Sequence, residues 1–242
     1  MQDSNQVSQK ITQELLSEIK DGRFRNSKAL PPEVQLAEEF KVSRNAIREA
    51  LTRLEREGWI ARKHGVGTLI NRHVINAGAR LDLNYEFKRT LEISGHAVNI
   101  INNTSDVIPA EKDIAENLNI SVGENLLRVS RLFMADGKPA IYCIDYFPMQ
   151  FIPKGEEANV YAEESFFGYM KDICGIEVES SLAEIRARSV TKEAANALGL
   201  PEGTVLLAME ETSYDLHARS VLYSESFFVD RMIHHTIVRK KI

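Results

Sequence analysis

Apolar residues recur at helical spacing three times within the first sixty positions. Ile11, Leu15 and Ile19 lie four apart with Leu16 beside them, and polar residues fill the intervening places. This predicts an amphipathic helix over 7–21 that stops at Gly22. Pro31-Pro32 lead into a second, shorter helix over about Glu33–Phe40, because a proline suits a first turn where its missing N–H would have no partner. Leu36, Ala37 and Phe40 are its inner side. Lys41-Val42 makes a tight turn and Ser43 caps a third helix running to about Glu57, with Ile47, Leu51 and Leu54 inward and Gly58 as its stop. Trp59-Ile60-Ala61-Arg62 and Thr68-Leu69-Ile70 then read as short strands around Lys63-His64-Gly65-Val66-Gly67. Two helices joined by a short turn and followed by a hairpin predict a winged helix-turn-helix.

Farther along, the pattern repeats itself. Shifted by about 80 positions, Ala115 falls on Ala195, Leu118 on Leu198, Gly123 on Gly203 and Leu126-Leu127 on Leu206-Leu207. One further residue of shift puts Tyr142 on Tyr223. Each unit reads as strand, helix and hairpin, with turns at Asp136-Gly137 and Asp215-Leu216-His217. Two such units can align their hairpins into one antiparallel sheet, each covering the other with its helix. Ser165 caps a further helix between them, which stops at Gly175. The expected organisation is α+β: residues 1–72 as a winged helix-turn-helix, 73–80 as linker, and 81–242 as an antiparallel sheet domain with helices.

A length of 242 residues suits two domains, and 43% hydrophobic with 27% charged residues suits packed cores. No apolar run reaches the ~18 residues of a membrane span, and the polar start is no secretory signal, so a cytoplasmic location is expected and no membrane partner. Cys143 and Cys174 are too few for a disulfide framework and are expected as reduced thiols. His234-His235 suggest no metal, because adjacent strand residues face opposite ways. No cofactor is expected. The net charge of −5 conceals an asymmetry: residues 1–72 hold 13 Lys+Arg against 10 Asp+Glu, or +3, and the remainder holds 17 against 25, or −8. A basic first third fits a polyanionic partner.

Placement gives that charge its meaning. Arg44 and Arg48 on an isolated helix would ordinarily be solvated charges with partners such as Glu49. At the start of the second helix of a helix-turn-helix, an arginine can reach guanine O6 and N7, and Asn45 can read adenine or hold a phosphate. Lys63 and His64 at the wing tip suit backbone or minor-groove contacts, and Gly65 lets the chain approach closely.

The stretch from Leu30-Pro31-Pro32-Glu33 through Ser43-Arg44-Asn45-Ala46-Ile47-Arg48-Glu49-Ala50-Leu51, followed by Leu54-Glu55-Arg56-Glu57-Gly58 and Gly65-Val66-Gly67-Thr68, resembles the winged helix of the GntR family of bacterial transcription regulators. The resemblance implies DNA contacts from Ser43, Arg44, Asn45, Arg48, His64 and Gly65. One departure is Val34, where the family usually has a basic residue, so the operator is expected to differ at the matching base pair.

Downstream, Arg131-Leu132-Phe133 before Ala135-Asp136-Gly137-Lys138-Pro139, Glu164-Ser165, Leu198-Gly199-Leu200-Pro201-Glu202-Gly203 and Asp230-Arg231 resemble the UTRA effector domain of the HutC-like branch, which has a chorismate-lyase-like fold. The resemblance implies a homodimer on a palindromic double-stranded operator, controlled by a small metabolite. It places Arg131, Ser165 and Glu225 in the effector pocket, and the candidate set also includes Tyr85, Glu86, Cys143 and Tyr223. Sugar-phosphate binders of the branch commonly carry Arg-x-Arg, where this chain has Phe133 for the second arginine, and a hydroxyl pair near the place of Tyr85-Glu86. A carboxylate beside a dianionic phosphate is repulsive. The expected effector is therefore no sugar phosphate: it has at most one anionic group for Arg131, with hydroxyl or amine groups for Glu225 and Glu86.

Competing expectations stand beside these. Arg131 could pair with Glu211, its repeat partner, and Cys143 could be simply a small buried residue. Lyase-like chemistry on the shared fold is the enzymatic alternative, but no nucleophile–base spacing supports it. The all-helical, metal-binding branch of the family is the other, and the hairpins count against it.

Overall fold

A computed structural model describes residues 2–156 and 165–239. The chain divides into two compact units, one reaching from the N-terminus to Leu83 and taking in the chain again from Thr236, the other spanning Asn84–His235.

In the first unit, α1 (Gln2–Lys20) buries Ile11, Leu15 and Ile19 against Leu36, Ile47, Leu51 and Leu54. After β1 (Ala29–Leu30) come α2 (Glu33–Phe40) and α3 (Arg44–Arg56). The turn between those helices rests on Lys41 in the left-handed region (φ 54°), and the Ser43 hydroxyl accepts from the Ala46 N–H at 3.2 Å to cap α3. The wing is β2 (Ile60–Lys63) and β3 (Gly67–Ile70), and β1 adds to β3 as a third strand. β1 has only two residues, too few for any alternation to reveal it.

Residues 73–80, expected as linker, are folded onto this unit. In α4 (Arg72–Ile75) the Arg72 guanidinium binds the carbonyls of Ile19, Phe24 and Ser27, which ties down the end of α1. Val74 is buried in the core, and β4 (Ala79–Arg80) places the Arg80 guanidinium 4.6 Å over the Trp59 ring. Thr236 returns to accept the Leu81 N–H at 2.9 Å. The division therefore falls at Leu83, because these apolar and cationic side chains satisfy the first core.

The second unit opens with α5 (Phe87–Ile93). It then builds β5 (Val98–Pro109), α6 (Lys112–Leu118), β6 (Asn125–Ala135) and β7 (Lys138–Pro148). After α7 (Phe166–Asp172), the same series recurs as β8 (Val178–Ser189), α8 (Lys192–Leu198), β9 (Val205–Asp215) and β10 (Ser220–Phe228). The six strands form one antiparallel sheet in the order β5-β6-β7-β10-β9-β8. The two strand–helix–hairpin units thus meet at β7 and β10 about an approximate twofold. Each helix crosses to the other unit, α6 packing on β10 and α8 on β7. Both helices lie on one face of the sheet, over Leu126, Leu132, Tyr142, Ile144 and Phe227. The opposite face packs Val129, Phe147 and Leu222 against Phe166, Tyr169 and Met170.

Candidate functional site

The helix periodicity of α3 decides what faces solvent in the first unit. Ala46, Ile47, Ala50, Leu51 and Leu54 are buried, which leaves Ser43, Arg44, Asn45 and Arg48 exposed on the other side. Arg48 is held by Glu33 at the start of α2 (3.3 Å), and Asn45 donates to Glu49 at 3.0 Å. Among the described residues, Arg44, Lys63 and His64 have no side-chain partner. Lys63, His64, Gly65 and Val66 form the exposed wing tip, where Gly65 and Gly67 take φ of 75° and 101°, backbone that other residues rarely adopt. Val34 is 45% exposed at the second position of α2.

A brace that sequence reasoning missed fixes the wing to this helix. Glu55 of α3 accepts the Arg62 backbone N–H at 2.8 Å and its guanidinium at 2.7 Å, and Arg62 also donates to Thr52. The spacing of seven residues carries no helical signal, because the chain turns between the two.

In the second unit, strand pairing decides which residues meet. Arg131 stands opposite Cys143, Cys143 opposite Ser226, and one row along Asp145 is opposite Ser224 and Ser224 opposite Glu211. These share one face. The Arg131 guanidinium donates to Asp145 at 2.5 Å, and the other oxygen of Asp145 accepts from Ser224 at 2.6 Å and from the Cys143 thiol at 3.5 Å. The rings of Phe166 and Phe133 lie 5.3 and 5.4 Å from the guanidinium. Nε of Arg131 is buried and unpartnered among the described residues. Beside this group, Glu86 accepts from the Ser165 hydroxyl at 2.6 Å and from the Phe167 N–H at 2.9 Å.

Electrostatics follow from that packing. Burial opposes the charge on Arg131, but Asp145 outweighs it and holds the guanidinium above its ordinary value. Burial and the same aspartate push the Cys143 thiol well up, so it is protonated at neutral pH.

The structure thus brings together Glu86, Arg131, Cys143 and Ser165, and adds Asp145 and Ser224. The Tyr85 ring lies 5.8 Å from the Arg89 guanidinium. Tyr223 and Glu225 do not join the group. Successive strand residues alternate faces, and both point to the helix-covered side, where Tyr223 stacks on Tyr146 at 5.9 Å and Glu225 accepts from the Tyr146 hydroxyl at 3.2 Å. Their neighbours Ser224 and Ser226 face Arg131 instead. The expected alternative pair of Arg131 with Glu211 is also absent: Glu211 lies three strands away, and Asp145 on the adjacent strand takes the guanidinium.

An exposed helix-turn-helix arginine face with a glycine-hinged wing, joined to a duplicated sheet unit with a buried polar cluster, defines a two-domain winged-helix DNA-binding protein. The chain belongs to the GntR family of bacterial regulatory proteins. The family's sequence model matches residues 7–70 and that of the UTRA domain matches residues 94–233. It is a transcriptional regulator with a DNA-binding GntR domain and a UTRA effector domain. It is 26% identical over 237 residues to the probable transcriptional regulator PhnF of Escherichia coli, covering 96% of this chain and 93% of that one. It is 23% identical over 232 residues to the transcriptional repressor NagR of Bacillus subtilis, covering 92% and 94%. The crystal structure of the possible transcriptional regulator YydK from Bacillus subtilis shares the fold, with a TM-score of 0.76 at 22% identity over 97% of this chain and 99% of that one. Among the described residues, no helix is long and apolar enough to cross a membrane.

Proposed function

We propose that this chain is a one-component repressor that binds a palindromic operator as a homodimer and leaves it when a small metabolite occupies the face around Arg131. Twofold-related α3 helices would enter successive major grooves, with Ser43, Arg44, Asn45 and Arg48 at the bases and phosphates and Lys63, His64 and Gly65 at the backbone. The name of the similar NagR supports the sign of regulation.

The observation that carries the effector reading is the state of Arg131. Its guanidinium is buried, one edge is taken by Asp145, and its Nε donor is left unmet. A buried donor without a partner costs about 1–3 kcal/mol, so a ligand acceptor is favoured there. Asp145 already balances the arginine's charge, and Glu86 already holds the Ser165 hydroxyl and the Phe167 N–H. A dianionic phosphate would meet two carboxylates, so the effector is no sugar phosphate. A tenfold loss of operator affinity requires ~1.4 kcal/mol of differential binding between the two states.

A thermal-shift screen of sugars, amino acids and their derivatives on the full chain tests this. Binders should release operator DNA in an anisotropy assay and should lose their effect with Arg131→Met. Tight calorimetric binding of a hexosamine phosphate would overturn the exclusion of phosphates.

A further inference from the structure

The two halves of the sheet unit can be compared position by position, and they differ where an arginine is present in one and missing from the other. In the first half, Arg128 of β6 reaches Glu193 of α8 at 2.5 and 2.6 Å, and the Tyr142 hydroxyl donates to the same carboxylate at 2.6 Å. The approximate twofold exchanges β6 with β9, α8 with α6 and β7 with β10. It maps Arg128 onto Ala208, Glu193 onto Asp113 and Tyr142 onto Tyr223. Strand register agrees: Arg128 stands opposite Tyr146 and Ala208 opposite Phe227, the positions related by the same shift.

On the same face of the sheet, the second half holds a cavity of about 740 Å³. Asp113 and Tyr223 line it, and the stacked rings of Tyr146 and Tyr223 form an aromatic wall. Five carboxylates and two arginines line it altogether, a surplus of three negative charges. Neither arginine is available to Asp113. Arg188 is engaged by Glu210 and Glu225, and Arg186 by Glu184. Among the described residues, the Asp113 carboxylate has no hydrogen-bond or ion-pair partner.

We infer that this cavity binds a guanidinium group, seated against Asp113 and beside Tyr223 as Arg128 is seated against Glu193 beside Tyr142. A guanidinium offers a planar fork that matches a carboxylate with two bonds and also stacks on tyrosine faces, which an ammonium does less well. The site lies on the opposite face of the sheet from Arg131 and does not depend on the effector reading there. A free guanidino compound and an arginine side chain from a second copy of this chain share this chemistry.

The test uses the full chain with agmatine as probe, 1,4-diaminobutane as the ammonium control, and sodium chloride to hold ionic strength constant. Agmatine at ten times its Kd should raise the unfolding midpoint by about 3 °C, saturably and more than the diamine does. Asp113→Asn should abolish the rise measured from its own baseline. Ala208→Arg, which supplies the missing side chain, should abolish it too while raising the midpoint without agmatine. Sedimentation separates the sources: dimers weakened by Ala208→Arg and by agmatine identify a second copy's arginine, and unchanged association identifies a small molecule. No saturable rise in the wild type, or an equal rise in Asp113→Asn, overturns the inference.

Discussion

Arg131 and Asp145 form a buried ion pair, 2.5 Å from Nη2 to Oδ2, between neighbouring strands of the sheet, with the aspartate side chain only 3% exposed. Each charge is tolerated because the other is present. Asp145→Ala should therefore cost about 3–5 kcal/mol, since it leaves a desolvated guanidinium unpaired, whereas the apolar pair Arg131→Met with Asp145→Leu should lie much closer to wild type. Urea unfolding of the three proteins checks this. A double variant as unstable as the single one would contradict it.

Glu211 sits in the same row of the sheet as Asp145 and Ser224. Burial lifts its carboxyl above the ordinary 4.5, against the Ser181 hydroxyl and with added repulsion from Asp145. The folded state thus holds this proton more tightly than the unfolded chain. Its contribution is complete below pH 4.5 and is lost as pH rises through the folded value. Glu211→Gln should match the wild-type unfolding midpoint near pH 4 and exceed it at pH 7, with the gap opening between. A gap independent of pH would rule out this origin.

The Glu55–Arg62 brace predicts a separation of stability from DNA binding. Both side chains are about one-third exposed, so Glu55→Ala should cost at most about 1 kcal/mol of domain stability. It should nevertheless lower operator affinity severalfold, because the wing strand loses its anchor on α3. Calorimetry and anisotropy on the same variant decide, and an unchanged affinity would show that the wing needs no brace.

The residues proposed to face DNA were legible in the sequence because they are contiguous: a cap, a helical period and a hinge of glycines place Arg44, Arg48 and His64 on the exposed surface without reference to any distant residue. The duplication was legible for the same reason, since a shift of 80 residues reads along the chain. The face proposed to hold the effector was only half legible. Arg131, Cys143 and Ser165 lie together there, but Asp145 and Ser224 join them only through strand pairing. Tyr223 and Glu225 drew notice by their chemistry and lie one residue out of phase, on the other face of the sheet from Arg131. Nor could periodicity show that Val74 and Thr236 fold back on the first unit, because neither belongs to a repeating stripe.

We propose that α3 reads a palindrome as part of a dimer, and that the face around Arg131 is not needed for operator binding. The decisive measurement is anisotropy on a palindromic duplex selected from random sequence by the wild-type chain. Arg44→Ala and Arg48→Ala should each fall to the affinity shown for unrelated DNA and remain dimeric in sedimentation, while Arg131→Met should keep operator binding. Specific binding retained by both arginine variants, or lost in Arg131→Met while that protein stays folded, would contradict the account.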